Sequence, residues 1–281
     1  MPVKPYGKGE KRGLHVDGVP WSDEITQRYV DEGCHGLVLG GPLADLDFLP
    51  DVPDLRFLSL MRGVADCSAI SRVPTLEFLS LATDSRGTFT FEGMENLRIL
   101  ETPYQKKWMP GLADLREIHS LMVYFWPKEQ PDLTILGDKP NLTDLRLQFK
   151  RTAHVSLAGL TAPQLKTFNL YDGRITDPDL FANFPLLEDM TFYSTKVHNL
   201  DFVKALPILK NLGIENGGDI DSVTPLANHP TLEQLAISGR TTITDGDLHP
   251  LLNIPKAKGI AVERNAPHYS HRAAEVRKLP W

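Results

Sequence analysis

One short apolar pattern recurs along almost the whole chain, and it constrains the fold more than any other feature. The pattern is Leu-x-x-Leu-x-Leu, first intact at Leu55–Leu60 and repeated 21 residues later at Leu76–Leu81. With apolar substitutions allowed, eleven copies begin at residues 34, 55, 76, 97, 118, 142, 165, 187, 209, 232 and 257. Such a repeat is one supersecondary unit, and it buries its apolar side chains only by stacking on its neighbours.

Proline precedes most of these copies. It lies two residues before the first apolar position in eight of the eleven copies, from Pro53 to Pro255. Proline ends a preceding helix and favours extended backbone in the residue before it. Each repeat is therefore predicted to run through a strand, a turn, a short α- or 3₁₀-helix and a proline into the next strand.

The spacing within a copy predicts which side chains face the core. Counted from the first apolar residue, positions four and six should point inward, because side chains alternate along a strand. Positions three, five and seven should then lie together on the opposite face of the sheet. Replacing Leu145 or Leu212, at position four, with Ala is expected to cost about 2–5 kcal/mol of stability.

The repeat resembles that of the leucine-rich-repeat superfamily, in its short, bacterial-like classes, over about residues 32–264. The resemblance implies an α/β solenoid: a horseshoe or arc with a parallel sheet of about eleven strands on its concave side and short helices or loops on its convex side. That family usually has Asn at position nine. Other residues stand there in this chain, among them Gly63, Asp84, Gly173, Thr195, Gly217 and Arg240.

The face formed by positions three, five and seven is the predicted partner-binding surface. Tyr and Arg, which are common at binding hot spots, lie on its second half, and an apolar series lies on its first. The apolar series has a second interpretation as cross-strand packing covered by the N-terminal segment. The predicted binding residues are Phe57, Phe78, Ile99, Tyr124, Asp144, Arg146, Tyr171, Asp189, Tyr193 and Glu215.

The ends of the solenoid should be capped. We expect an N-terminal tail and capping helix over residues 1–33, the solenoid over 34–264, and a C-terminal cap and basic tail over 265–281. The first helix should begin after Ser22 as N-cap, and a basic helix is predicted over 270–279. Irregular loops carry Trp108 and Trp126, which either extend the binding face or pack on a neighbouring coil.

Composition narrows the partners. The formal net charge of -6 argues against nucleic acid, which requires a basic stripe. No apolar stretch approaches the roughly 18 residues that a membrane span needs. Met1–Gly13 lacks the apolar region of a secretory signal, so a cytoplasmic location is expected.

Motifs for catalysis or metal binding are weak. His268 and His271 lie three residues apart, but two ligands do not make a metal site. We therefore expect no catalytic residue, metal or cofactor. The predicted function is non-catalytic binding of another protein, as in an adaptor, an inhibitor or a toxin-immunity protein. The alternative is a carbohydrate-binding protein or an enzyme that uses the loops at the edge of the sheet.

Overall fold

The structure is a computed structural model that describes residues 2–41, 43–151 and 153–277. The chain divides into two compact units, one of residues 1–124 and 137–139 and the other of residues 125–136 and 140–281. Each unit is a stretch of solenoid, in which one sheet is backed by short helices.

The first unit contains a sheet in which every strand follows its predecessor in the chain. All neighbouring pairs are parallel except the first, which is antiparallel. The strands are β1 (Val3–Tyr6), β2 (Gly13–Asp17), β3 (Gly36–Gly40), β4 (Phe57–Leu60), β5 (Phe78–Ser80), β6 (Ile99–Pro103) and β7 (Ser120–Trp126), whose last two residues belong to the second unit.

The second unit contains a fully parallel sheet of β8 (Asp144–Phe149), β10 (Thr167–Tyr171), β12 (Asp189–Tyr193), β13 (Asn211–Glu215), β15 (Gln234–Ser238) and β17 (Gly259–Val262), in that order. Two pairs of short parallel strands lie beyond its carboxyl ends. They are β9 (His154–Val155) with β11 (Arg174–Ile175), and β14 (Asp219–Ile220) with β16 (Thr242–Ile243).

The eleven predicted strands are all present. Each begins at position three of its copy, from Gly36 in the first to Gly259 in the last. Every residue at positions four and six is buried, including Leu145 and Leu212. The predicted alternation between core and opposite face is confirmed.

Short helices return the chain to the next strand, as predicted. Most of them are 3₁₀-helices of three to six residues. The 3₁₀-helices are Gly9–Lys11, Leu49–Asp51, Ser68–Arg72, Leu112–Asp114, Pro178–Asn183, Asp201–Ala205 and Thr224–Leu226. The α-helices are α1 (Asp23–Asp31), α2 (His249–Leu252) and α3 (Ala273–Val276).

Residues 1–33 form more structure than the predicted tail and capping helix. The helix α1 is present, and the Ser22 hydroxyl accepts a hydrogen bond from Ile25 N at 3.4 Å, as expected of an N-cap. Before it, β2 continues the sheet as an additional copy with Leu14 and Val16 at positions four and six. The repeat pattern missed this copy because Lys11 stands at its position one.

The C-terminal helix is shorter than predicted. It comprises only Ala273–Val276, and residues 278 and 279 of the predicted helix lie outside the described residues. The Glu275 carboxylate accepts a hydrogen bond from Arg272 N at 2.7 Å, which closes the first turn.

The turns after four successive strands of the second unit share a backbone conformation. Position eight is left-handed in four successive repeats, with φ of 63° at Asp172, 53° at Ser194, 54° at Asn216 and 65° at Gly239. At position nine, where the family has Asn, the Thr195 hydroxyl donates to the Asp172 carbonyl at 2.9 Å. A threonine hydroxyl thus links neighbouring coils where an amide would in the family.

The tryptophans of the irregular loops pack inward. Trp108 is fully buried in the first unit, with its ring centroid 4.8 Å from that of Phe89 and its indole N–H donating to Gly87 O at 3.1 Å. Trp126 is fully buried in the second unit and donates to Gln130 O at 2.9 Å. Packing on a neighbouring coil is confirmed for Trp108, and Trp126 is buried instead of extending the binding face.

Candidate partner-binding faces

The face opposite the core is described for each unit separately and is called its exposed face. It consists of positions three, five and seven of the strands, which face away from the buried leucines. Parallel in-register pairing places equal positions of neighbouring repeats side by side, so each position forms a row across the sheet.

The exposed face of the first unit carries the predicted apolar series. Phe57 pairs in register with Phe78, and Phe78 with Ile99, so the three side chains occupy adjacent strands of the position-three row. The two phenylalanines are half-buried, and Ile99 is 37% exposed. Tyr124 lies in the position-seven row beside Pro103, about 13 Å along the strand from position three. The structure therefore groups the first three residues and separates Tyr124 from them.

The N-terminal strand covers one end of this row. Gly13 and Gly36 continue the row beyond Phe57, and a Cβ atom on Gly13 would lie 2.5 Å from the Tyr6 hydroxyl oxygen. A Cβ on Gly36 would collide with the same hydroxyl. The glycines are thus required for the close approach of Tyr6 in β1, and burial raises the pKa of Tyr6 to about 12.

The exposed face of the second unit is centred on two tyrosines. Tyr171 and Tyr193 are paired in register in the position-seven row, with ring centroids 4.7 Å apart and planes inclined by 6°. Both are half-buried, and burial, together with the neighbouring Tyr193, raises the pKa of Tyr171. Gln148 and Glu215 flank the stack on the next strands, and Glu215 is exposed.

Three of the four charged residues predicted on this face have polar partners within it. Arg146 donates to Asp144 from Nη2 to Oδ2 at 2.7 Å and from Nε to Oδ1 at 3.2 Å, two residues apart on the same side of β8. Asp189 accepts a hydrogen bond from the Asn211 amide on the adjacent strand. The two acids and the arginine therefore present already satisfied polar groups, which leaves the tyrosine stack as the largest amphipathic feature of this face.

A depression that the sequence analysis did not identify lies beside the stack. It has a volume of about 230 Å³, and Tyr193 and Glu215 border it. The depression forms because the side chains in the position-five row are smaller at Gly213 and Ala236 than at the neighbouring Thr191. The loss of side-chain size along that row is the signal in the sequence that could have revealed it.

Groups for other chemistry are sparse. The described part of the chain contains no cluster of three or more His, Cys, Asp or Glu side chains arranged to hold a metal ion. His268 bonds the Ile243 carbonyl at 2.9 Å and His271 lies 2.9 Å from the Ser270 hydroxyl, so the two histidines have separate partners. Among the described residues, no helix is both long enough and apolar enough to traverse a bilayer.

The repeated strand, turn and short helix define a leucine-rich-repeat fold, and a solved structure agrees. The chain is similar to an internalin (inlF) from Listeria monocytogenes, with a TM-score of 0.56 and 18% identity over 78% of this chain and 66% of that chain. The chain thus spans just under two thirds of that structure. The likeness extends to the fold, and the chain has the fold of the leucine-rich-repeat superfamily.

Two further structures are more distantly similar. An internalin C2 (inlC2) from Listeria monocytogenes has a TM-score of 0.40 and 18% identity over 60% of this chain and 82% of that chain. A plant peptide hormone receptor, RGFR1 in complex with RGF2, has a TM-score of 0.42 and 12% identity over 93% of this chain and 51% of that chain. The sequence matches no protein-family model and no curated protein.

Proposed function

We propose that this protein is a non-catalytic binding protein that holds another protein on the exposed face of its second unit. The observation that carries the proposal is the stack of Tyr171 on Tyr193 at the rim of a depression. A stacked pair has little conformational freedom left to lose on binding, and its hydroxyl groups provide polar contacts beside an apolar surface. An aromatic side chain of a partner fits the depression against the Tyr193 ring.

The neighbouring charges support a protein ligand. Asp144 and Arg146 neutralise each other, so a partner can cover this pair without leaving a lone charge buried. Asp189 accepts a hydrogen bond from the neutral Asn211 amide and keeps its charge. An adaptor, an inhibitor and a toxin-immunity protein would all use such a face. The likeness of fold to the internalin inlF is compatible with this role, since leucine-rich repeats commonly present a sheet face to a ligand.

The test uses two variants that change the face in opposite ways. Tyr171→Ala with Tyr193→Ala removes the stack, whereas Ala236→Phe fills the depression and leaves both tyrosines in place. Both should abolish capture of the partner identified with the unaltered protein from its native host by affinity purification and mass spectrometry. Leu252→Ala, which removes an exposed apolar side chain on α2, is the matched control and should retain the partner.

Circular dichroism melts of all variants establish that the fold is kept. Capture that persists in both the tyrosine variant and Ala236→Phe would rule out this face as the binding site. Loss in the Leu252→Ala control as well would show that the capture depends on general surface apolarity.

A further inference from the structure

A second feature of the second unit lies at the carboxyl ends of its strands. It is a pocket of about 660 Å³ whose charged and titratable lining residues are Arg151, His154, Asp172, Arg174, Lys196 and Arg240. Four of these side chains are cationic at neutral pH and one is a carboxylate. The pocket is therefore basic in a chain whose formal net charge is -6.

Three of the basic residues of the pocket lie at paired positions of neighbouring strands. His154 of β9 pairs in register with Arg174 of β11, and Arg174 pairs with Lys196 through an isolated parallel bridge. The three side chains are all exposed and follow each other at the strand spacing of about 4.8 Å. Like charges directly opposite each other across strands destabilise a sheet, so this arrangement is unfavourable without an anion.

Three other lysines of the second unit are neutralised within the chain. Lys204 is 2.6 Å from Asp201, Lys258 is 2.6 Å from Glu233, and Lys210 pairs with Glu188. By contrast, no carboxylate of the described residues lies within ion-pair distance of Arg151, Arg174, Lys196 or Arg240. The pocket thus concentrates cations that have no internal counterion.

The proposed binding face also needs additional surface. A stable interface takes about 800 Å² from each partner. Positions three to seven of six strands form a strip of only about 300 Å². The left-handed turns at Asp172 and Ser194 begin directly after Tyr171 and Tyr193 and lead into Arg174 and Lys196. The tyrosine face and the pocket are therefore adjacent, and a partner bound to the tyrosines can also contact the pocket.

We infer that the basic pocket binds an acidic, extended segment of the protein partner, an inference that rests on the proposed function. The four cations come from four of five successive repeats, which together span about 19 Å, and this length matches about six residues of extended chain. Each arginine offers a planar pair of N–H donors to one carboxylate. Nucleic acid is disfavoured, because the net negative charge of the protein repels a long polyanion.

The test measures binding of a fluorescein-labelled hexaglutamate peptide by anisotropy at low ionic strength, with hexaglutamine as the uncharged comparison. Only hexaglutamate should bind, and added salt should weaken it. Arg174→Gln with Lys196→Gln should reduce the affinity roughly tenfold, which corresponds to about 1.4 kcal/mol. Lys256→Gln with Arg264→Gln removes the same charge from exposed sites outside the pocket and should leave the affinity within about twofold of the unaltered protein.

The remaining outcomes separate this inference from the proposed function. Tyr171→Ala with Tyr193→Ala should retain hexaglutamate binding. Loss of partner capture in this variant, with peptide binding intact, would show that the tyrosine face and the basic pocket make separate contributions. Equal losses in the pocket variant and the charge-matched control would overturn the pocket, since net charge alone would explain them. Tighter binding of a single-stranded oligonucleotide than of hexaglutamate would overturn the acidic-segment inference.

Folding of the pocket variant can be checked in the same experiment. Because the substitution removes repulsion between Arg174 and Lys196, its melting temperature should equal or exceed that of the unaltered protein.

Discussion

The rings of Tyr171 and Tyr193 lie face to face, 4.7 Å between centroids, on adjacent parallel strands of the second unit. Parallel register aligns the two Cα atoms, and the strand spacing is close to the stacking distance of two rings. The pair is consequently a product of the repeat itself, which places one tyrosine above the other at the same position of consecutive coils. Its geometry stiffens the region that we propose meets the partner.

The stack should contribute measurably to stability. A double-mutant cycle of Tyr171→Ala and Tyr193→Ala is expected to give a coupling free energy of about 0.5–1.5 kcal/mol, as for other aromatic pairs. Urea unfolding of the two single variants and the double variant gives the value. Tyr193→Ala combined with Asn169→Ala provides a comparison with a polar residue of the same face, and coupling there as large as in the tyrosine cycle would show that the effect is not due to the rings.

The leucines at position four carry the core of each coil. Leu145 is fully buried and Leu212 is 2% exposed, so Leu145→Ala or Leu212→Ala should lower the free energy of unfolding by about 2–5 kcal/mol. Asn169→Ala, on the exposed face of β10, should change it by no more than about 0.5 kcal/mol. Urea melts measure all three. A loss below about 1 kcal/mol for both leucines would contradict the packing described here.

A buried histidine makes the second unit sensitive to acid. His229 Nδ1 accepts from Leu232 N at 3.2 Å and Nε2 lies 3.1 Å from the Leu206 carbonyl, an arrangement that suits the neutral ring. Burial lowers the pKa of His229 below 6.5. As the pH falls through about 6.5, the unfolded chain takes up a proton that the folded chain does not, so the stability due to this residue decreases.

His229→Gln should therefore have a flatter dependence of stability on pH between about 7.5 and 5 than the unaltered protein. It should also lose about 1–2 kcal/mol at pH 7.5 through poorer hydrogen bonding. Chemical denaturation across that pH range measures both effects. His249→Gln, at an exposed histidine of α2, is the control and should reproduce the original slope. Identical slopes in the two variants would exclude His229 as the origin.

A buried lysine should make the stability of the first unit depend on pH in the alkaline range. Lys139 is fully buried in the first unit and donates to Ala113 O at 2.9 Å, and burial lowers the pKa of its ammonium group to about 8. Between that pH and the ordinary value of 10.5, the unfolded chain binds a proton that the folded chain has released. The contribution of Lys139 to stability therefore rises with pH across this window.

Lys139→Met should remove that rise, and Lys106→Met, at an exposed lysine of the same unit, should keep it. Differences between the two variants isolate the lysine, because the buried tyrosines and cysteines contribute equally to both. Guanidinium melts at pH values from about 7 to about 10 provide the measurement. Parallel stability curves for the two variants would show that Lys139 is not the titrating group.

Much of the fold could be predicted from the sequence, because the apolar residues of each repeat stand at the positions that are buried. Apolar residues stand at all but one of the core positions four and six, the exception being Thr102, so these positions mark the strands, and all eleven strands begin where the spacing indicates. The copy formed by β2 escaped because its first position is Lys11, whose side chain does not need burial at the end of a stack. The horseshoe curvature, the cytoplasmic location and the domain boundaries stay predictions.

The candidate site was less predictable from the sequence, because the hydrogen bonds and ion pairs on an exposed face depend on the three-dimensional positions of the side chains. The alternation placed Asp144 and Arg146 on one face, but their mutual ion pair depends on side-chain conformation. The basic pocket was not predicted, because Arg174 and Lys196 lie after the ends of the predicted strands. Their alignment depends on the left-handed turns at Asp172 and Ser194.

The sequence by itself determined the repeat, the strands and the face each side chain occupies, because these follow from local periodicity and the cost of leaving leucine in water. Tertiary structure alone decided which polar groups neutralise each other, where Gly213 and Ala236 leave a depression, and which cations remain without a counterion. Those outcomes depend on distances between different coils. Such distances are set when the coils stack, and no single repeat contains them.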